Sequence, residues 1–355
     1  MKTESIRYFA AANSGTGFFS LFGEVFDPEK YDRIYIIKGG SGTGKSTMMK
    51  LIGEEAEKRG YGVEYVLCAS DPDSLDGIVI PRISVAVIDG TAPHTTDPKY
   101  PMAVERIVDL YRCIDGDKVA RRREEIISES REAARHTSAA YGFMRALKEI
   151  TSEKEALART CFDRDKAAGA AERMIRKLSR GGEYRRLFSC AVCSLGYVRE
   201  EAFPGRAGEM IGIVDKFGLG YAFTAELCRA AKENGIGFTE MLSPVCPKKT
   251  EGLFFEKDGV HVTVCDENEA ENYDKKINIM RFADRDKLSA VRGRLRFYEK
   301  CEDAVSSGAF GCFASARVCH EKLERIYGVA TDFSRVDEAR EMLIKEIFGD
   351  VLYKM

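Results

Sequence analysis

The sequence lacks the features that would place the chain in a membrane or on the secretory route. No apolar run approaches the roughly 18 residues that a membrane-spanning helix needs. The first residues, MKTESIRYF, do not follow the charged and then apolar pattern of a secretory signal. The net charge is only −2, which gives no general reason to expect a nucleic acid or an acidic membrane as a partner. With 355 residues, 44% of them apolar, the chain is long enough for two domains with their own cores.

Cysteine and histidine are present, but not in the spacing of a metal site. The eleven cysteines are an odd number and are scattered, which is typical of reduced thiols and predicts a cytoplasmic protein. Only Cys190 and Cys193 form a CxxC pair, and the four histidines lie far apart in sequence. We interpret this pair as structural or incidental, with metal binding or redox chemistry as the alternative.

Residues 34–47, IYIIKGGSGTGKST, carry the one strong motif. The isoleucines predict a buried strand, and Met48 to Lys58 predict a helix that ends near Gly60. Between them lies the pattern GxxxxGK[ST], in the strand–loop–helix context that it requires. Glycines let successive backbone N–H groups turn toward phosphate oxygens, and the start of the helix adds the positive end of its dipole. The motif therefore predicts a site for a nucleoside triphosphate and Mg²⁺.

Each residue of this loop has a predicted role. Lys45 reaches the β- and γ-phosphates and serves catalysis, while the Ser46 hydroxyl ligates Mg²⁺. The residues predicted to bind the nucleotide are Gly39, Gly40, Ser41, Gly42, Thr43, Gly44, Lys45, Ser46 and Thr47.

Two later strands are predicted to end near this loop, because ligands collect at the carboxyl ends of parallel strands. Val85 to Ile88 lead to Asp89, the candidate Mg²⁺ ligand and catalytic group; a turn aspartate is the alternative. After the strand at 63–67, Asp71 and Asp73 are candidates to position a water or an acceptor hydroxyl, or else are turn formers. His94 is expected to be exposed, with a contact to the γ-phosphate or substrate as the alternative.

Two absences refine the predicted chemistry. Gly90 follows Asp89, where many vigorous ATPases place a glutamate that activates water, so we expect slow hydrolysis or transfer to another acceptor. No NKxD-type guanine reader is present, which favours ATP over GTP.

The second half of the sequence repeats the first. At an offset of 175, Gly235, Pro247 and Gly252 fall on Gly60, Pro72 and Gly77; before the loop the offset is 177, and further upstream it is 179. VDKFGLGYAFT (214–224) is thus a second copy of the loop, without a counterpart of Lys45 or Ser46. At the position that corresponds to Asp89, the second copy has Val264. We expect a duplicated α/β fold with two mostly parallel sheets, whose second copy has lost its nucleotide site.

Each half is predicted to end in helices. A helix is predicted around 102–113, a charged helical pair over roughly 117–180, and later helices over 287–305, 314–327 and 336–347. The predicted domains are 1–180, with a helical extension over about 102–180, and 181–355, a degenerate copy with C-terminal helices. Such extensions commonly act as lids, subunit contacts or arms for a protein partner.

The stretches RYFAAANSGTGF, KGGSGTGKST, CASDPDSLDG and VIDGTAPH together resemble a bacterial family of tandem P-loop ATPases, common in Firmicutes and sometimes labelled nucleotide-kinase-related. The closing stretch CHEKLERIYGVATDFSRVDEAREMLIKEIF is similar to that family's C-terminal helices. The resemblance implies an ATP loop at 39–47 and further signature positions at 71–76 and 89–94.

The sequence thus favours a slow ATPase with one Mg-ATP site, whose nucleotide state moves the helical extensions. A small-molecule or nucleotide kinase, with Asp71 or Asp73 as base, is the first alternative. A regulatory module that holds ATP without turnover is the second.

Overall fold

The computed structural model describes residues 4–200, 202, 203 and 206–349. The first half contains the strands β1 (Ile6–Phe9), β2 (Ala11–Ser14), β3 (Gly17–Ser20), β4 (Arg33–Lys38), β5 (Glu64–Leu67), β6 (Leu75–Ile80), β7 (Val85–Asp89) and β8 (Glu105–Asp109). Its helices are α1 (Phe22–Val25), α2 (Lys45–Lys58), α3 (Gly116–Ala120), α4 (Arg123–Arg159) and α5 (Arg164–Ile175).

The second half contains the strands β9 (Arg185–Leu187), β10 (Cys190–Cys193), β11 (Gly196–Arg199), β12 (Glu209–Val214), β13 (Thr239–Leu242), β14 (Thr250–Phe255), β15 (Val260–Cys265) and β16 (Lys275–Asn278). Its helices are α6 (Gly220–Glu233), α7 (Arg285–Ala330) and α8 (Phe333–Gly349).

Each half forms a six-stranded sheet with the same strand order. The orders are β1-β5-β6-β7-β4-β8 and β9-β13-β14-β15-β12-β16. In each sheet only β6, or its counterpart β14, runs against the other strands. Helices α2 and α6 begin at residues 45 and 220, at the predicted offset of 175. The predicted class, a two-repeat α/β fold with mostly parallel sheets, is confirmed.

Apolar sequence runs explain the two cores. Strands β4 and β7 are buried along nearly their whole length, as expected for parallel strands that are covered on both faces. Met48, Met49 and Ile52 recur at helical spacing and turn one side of α2 toward the sheet. This packing fixes the loop between β4 and α2 at the carboxyl edge of the first sheet.

The two repeats meet around an approximate two-fold axis. Phe9 and Phe188 occupy equivalent positions, and each backbone N–H donates to the other residue's carbonyl, at 2.8 and 2.9 Å. Helices α4 and α7 pack along each other in opposite directions. Ile114, ahead of α4, bridges to Thr331 after α7, and Phe162 after α4 bridges to Ala283 ahead of α7. The two bridges are equivalent to each other, because Ile114 corresponds to Ala283 and Phe162 to Thr331, both at an offset of 169.

The crossing of α4 and α7 exchanges the terminal helices between the repeats. Helix α5 packs on α6 of the second repeat, and α8 packs on α2 of the first. Ala167 and Ala171 accordingly belong to the core of the second sheet. Leu343 and Ile347 belong to the core of the first. The boundary at 180/181 stays a prediction for the chain, but each repeat completes its core with a helix from the other.

Two helix predictions are wrong. Residues 105–109 form an edge strand, β8, paired with β4, and not part of a helix over 102–113. The spacing of apolar residues there was too short to distinguish the two periods, and pairing with β4 satisfies the backbone.

The helices predicted over 287–305 and 314–327 are one continuous helix, α7. The glycine-containing stretch between them stays helical because α4 packs closely against it. A Cβ placed on Gly308 would lie 2.6 Å from the ring of Phe143.

Helices α4 and α7 are long, but neither they nor any other described helix combines the length and apolar character needed to cross a bilayer.

Candidate functional site

The loop between β4 and α2 presents a row of free backbone donors. Gly42 and Gly44 adopt left-handed conformations, with φ of 67° and 86°, which other residues adopt only at a cost. Helix α2 has no side-chain cap. Among the described residues, none accepts a hydrogen bond from the backbone N–H groups of Gly40 to Ser46. A group of unpaired donors at a helix start is suited to an anion.

Lys45 lies inside this loop. Its Nζ donates to the carbonyl oxygens of Gly40 and Gly39, at 2.8 and 3.2 Å. The same Nζ lies 3.6 Å from Oδ2 of Asp89. The ammonium group is therefore held beside the free donors.

Asp89 has the contacts of a turn aspartate and also lies beside Lys45, and its role as a magnesium ligand stays a prediction. Its Oδ2 faces Lys45, while its Oδ1 accepts from the backbone N–H and the hydroxyl of Thr91, at 2.8 and 2.6 Å. The Oγ of Ser46 accepts from the backbone N–H of Leu75 at 2.9 Å, so its own proton remains available. No group of three or more histidine, cysteine, aspartate or glutamate side chains suited to a metal occurs among the described residues. A magnesium ion here would therefore need oxygens from the nucleotide as well.

A buried pair of Asp76 and His94 lies beside Asp89. Both residues fall in stretches that the sequence analysis singled out, but their pairing was not predicted. Gly77 pairs with Ile88, so Asp76 and Asp89 are the next positions on neighbouring strands. The Nε2 of His94 lies 3.1 Å from Oδ2 of Asp76. Burial raises the pKa of Asp76, the bond to His94 opposes this shift, and the charge of Asp89 adds to it.

The expected exposure of His94 is wrong. Its ring is buried and stacks on Phe22 with centroids 3.8 Å apart. Only the antiparallel pairing of β6 with β7 brings Asp76 to this place, and the spacing of the sequence does not reveal that pairing.

The two acidic candidates after β5 occupy different positions. Oδ2 of Asp71 accepts from the Ser74 hydroxyl at 2.7 Å, and its Oδ1 lies 3.4 Å from Nη2 of Arg317 in α7. Asp73 is exposed, and its backbone carbonyl accepts from Lys50. Asp71 thus lies at the edge of the site, whereas the Asp73 carboxylate has no contact with it in the described structure.

Helix α7 covers the loop from outside. A Cβ on Gly40 would lie 2.9 Å from the ring of Tyr327, and one on Gly42 would lie 2.5 Å from the carbonyl oxygen of Glu324. A hydrogen bond from His320 lowers the pKa of Glu324, and the charges of Lys45 and Arg317 add to this effect. An arm of the second repeat therefore borders the candidate site of the first.

The second loop is closed by its own aspartate. Asp215 accepts from the backbone N–H groups of Gly218 and Gly220, at 3.0 and 2.6 Å. A carboxylate thus occupies donors that would face a phosphate. Gly220 stands where the first repeat has Lys45, and a Cβ there would lie 3.0 Å from Val264, the counterpart of Asp89.

A cavity of about 680 Å³ adjoins this second loop, and carboxylates outnumber basic groups in its lining. Its basic side chains include Lys154 and Lys249, which pair with Glu302 and Glu155 at 2.5 and 2.6 Å. Tyr221, at the position of Ser46, donates to Glu251 at 3.3 Å. The charge of this cavity does not favour a triphosphate.

Residues 31–112 match the family model of the dynein light intermediate chain. This is a eukaryotic family, so the resemblance to a bacterial family of tandem ATPases is wrong. Glycine-rich loops of this kind recur in many families, and the motif strings alone do not choose among them. The match runs from just before β4 to just after β8 and covers a minor part of the chain.

No curated protein matches the chain, and no solved structure matches it.

Proposed function

We propose that the first repeat is a P-loop domain that binds Mg-ATP at residues 39–47 and hydrolyses it slowly. The observation that carries the proposal is the row of free N–H groups around Lys45. The Nζ of this lysine lies 3.6 Å from Oδ2 of Asp89, at the end of β7. Lys45 contacts the β- and γ-phosphates, and the Ser46 hydroxyl and Asp89 hold Mg²⁺, directly or through water.

Slow turnover follows from what surrounds Asp89. Gly90 provides no carboxylate to activate water, and the neighbouring Asp76 is engaged by His94. For the same reason, transfer of the phosphoryl group to an acceptor hydroxyl, with Asp71 as base, is the second candidate function. The absence of a guanine-reading motif supports ATP as the nucleotide.

The second repeat is proposed to bind no nucleotide. Asp215 occupies the loop donors, Tyr221 fills the place of the magnesium-binding serine, and the lysine–aspartate pair is replaced by a contact between Gly220 and Val264. The repeat acts instead as a permanent internal partner that supplies α7 and α8 to the first site.

The long helices α4 and α7, the arms of the two repeats, are proposed to carry the nucleotide state to a protein partner. The name of the matching family denotes one chain of a dynein, which supports a role as a subunit of a larger assembly. The contacts of Tyr327 and Glu324 with the loop give the nucleotide a direct route to α7.

Titration calorimetry with Mg-ATP, followed by analysis of the recovered nucleotide, tests this function. We expect one site per chain and slow appearance of ADP and phosphate. Lys45→Ala should weaken triphosphate binding by roughly a hundredfold, because a desolvated charge-assisted contact contributes about 2–3 kcal/mol. The matched control is Lys38→Ala, since Lys38 bonds Gly90 and Asp97 outside the loop.

Each result separates the candidates. A phosphorylated organic product, found on adding metabolite mixtures, would favour the transferase, and intact ATP would favour a binding module. Wild-type affinity in Lys45→Ala would contradict the site, and two nucleotides per chain would contradict the closed second repeat.

A further inference from the structure

Arg317 is a basic side chain of α7 that faces the candidate site from the opposite repeat. Its Nη2 lies 3.4 Å from Oδ1 of Asp71, an oxygen that accepts no hydrogen bond from any described residue. The side chain is one-third exposed. Its Nε donates to Oε1 of Glu321 at 3.2 Å. The contact of Nη2 with Asp71 is longer than a good hydrogen bond, so the two Nη groups keep donors for another acceptor.

Arg317 lies on the side of the loop where the segment after β5 meets the start of α2. Glu324 lies two turns further along α7, roughly 10 Å away, and its backbone touches Gly42 of the loop. The segment from Asp71 to Leu75 borders the other side, where the N–H of Leu75 binds the Ser46 hydroxyl. Arg317 therefore lies beside the magnesium side of the loop.

The arm of the first repeat offers a matched comparison. Residues of α4 and α7 are equivalent at an offset of 169, which places Lys148 at the position of Arg317 and Glu155 at that of Glu324. Glu155 contacts Gly218 of the second loop, as Glu324 contacts Gly42 of the first. Lys148 pairs with Glu149 at 2.7 Å. Only the arm over the open loop carries an arginine at this position.

We propose that Arg317, carried by the second repeat, binds the γ-phosphoryl group of the nucleotide in the first repeat and stabilises its transfer to water. The inference rests on the proposed function. The oxygen of water attacks the γ-phosphorus, and the bond from that phosphorus to the bridging oxygen breaks with its electron pair left on ADP. The water gives up a proton to solvent, and inorganic phosphate is released. Negative charge that builds up on the γ and bridging oxygens is met by the guanidinium, which forms two parallel hydrogen bonds.

Single-turnover hydrolysis by Arg317→Ala in the full chain tests the proposal. We expect the rate to fall by about a thousandfold, within the range known for arginines that contact a transferred phosphoryl group. Affinity for Mg-ADP should change little, because the contact is made to the γ-phosphoryl group. Arg317→Lys should recover only part of the rate, since an ammonium group cannot form the two parallel bonds. Lys148→Ala, the matched control, should hydrolyse like the parent.

A second measurement does not depend on turnover. Aluminium fluoride with Mg-ADP imitates the transferring phosphoryl group, so the parent should bind this combination more tightly than Mg-ADP alone, and Arg317→Ala should lose that gain. An unchanged rate or an unchanged gain in Arg317→Ala, in a protein that does bind Mg-ATP through Lys45, would overturn the role of Arg317 and leave the proposed function standing. A parent chain that binds no nucleotide would overturn both.

Discussion

At the scale of single residues, the two copies differ at the positions proposed to contact phosphate and magnesium, and they agree in the residues that form the turns and the cores. The ion pair of Lys45 and Asp89 has become a contact between Gly220 and Val264. In the first repeat Asp76 pairs with His94. Its counterpart in the second repeat, Glu251, accepts a hydrogen bond from Tyr221 instead. The first loop has free N–H donors, whereas in the second loop the carboxylate of Asp215 accepts from the corresponding donors.

His261 gives a pH-dependent prediction. It is buried in β15 near Phe203 and Phe254, and burial lowers its pKa to about 4, with the charge of Arg199 contributing. Between pH 6.5 and 4 the unfolded chain binds a proton that the folded chain does not, so this residue reduces stability as pH falls through that range. This histidine accounts for about 2 kcal/mol of the free energy of unfolding that is lost between pH 7 and pH 5.

Urea denaturation of His261→Phe at the two pH values measures this contribution. The variant should lose less free energy of unfolding between pH 7 and pH 5 than the parent does, by about 2 kcal/mol. His136→Gln, at a position on α4 that is one-third exposed, should behave like the parent. Equal losses in parent and His261→Phe would show that this histidine does not titrate differently on folding.

The sequence reveals the loop but not its surroundings. GxxxxGK[ST] is a local pattern, so residues 39–47 and the strand and helix beside them could be predicted, and Asp89 followed from its strand. Asp76 reaches the site through an antiparallel strand, and Arg317 comes from a helix that begins far along the chain. Neither position follows from neighbours in sequence, because long-range pairing decides both.

At the scale of elements, the terminal helices are the least expected feature. The apolar spacing in α8 predicts a helix, but the pattern does not say which sheet it covers. Asp163 and Asp332 begin α5 and α8 in equivalent ways, and each donates its backbone N–H across the crossing, to Phe282 and to Cys113. These bonds turn each helix toward the opposite repeat.

Leu343 measures how much α8 stabilises the first core. The side chain is 4% exposed and belongs to the core that also contains residues of β4, β7 and α2. Leu343→Ala should lower the free energy of unfolding by about 2–4 kcal/mol, because it leaves a cavity in that core. Met342→Ala next to it, at a position 64% exposed, should change stability by less than about 0.5 kcal/mol.

Urea denaturation measures how much stability Leu343→Ala loses, and hydrogen exchange shows which strands and helices are destabilised. Faster exchange in β4 and α2 of Leu343→Ala is the expected pattern. If the faster exchange were confined to β12 and α6, α8 would not be part of the first core.

At the scale of the whole molecule, the exchange of α5 and α8 makes the two repeats depend on each other. A fragment of residues 1–180 keeps α5 without the core it covers and lacks α8 over its own. We expect this fragment to be unfolded or aggregated when produced alone, and to become soluble and folded when produced together with residues 181–355. Size-exclusion chromatography and circular dichroism distinguish these states.

The control is a full chain cut after folding. Gly181 and Gly182 are exposed between α5 and β9, and Gly181 is bonded through its backbone to Gly235 and Gly237. A protease site inserted after Gly182, beyond these bonds, should be cleaved without loss of structure. The cut halves should elute together until denaturant is added. A fragment 1–180 that is a stable, folded monomer would contradict the interdependence of the repeats.

The reciprocal exchange of helices also bears on how such a chain changes over generations. After a duplication, a copy that loses its chemistry is usually free to be deleted. Here deletion of the second copy would remove α8 from the first core and Arg317 from the edge of its site. If the first repeat holds the single site that we propose, selection for that site preserves both halves, and the second repeat varies mainly on the surfaces that face away from the first.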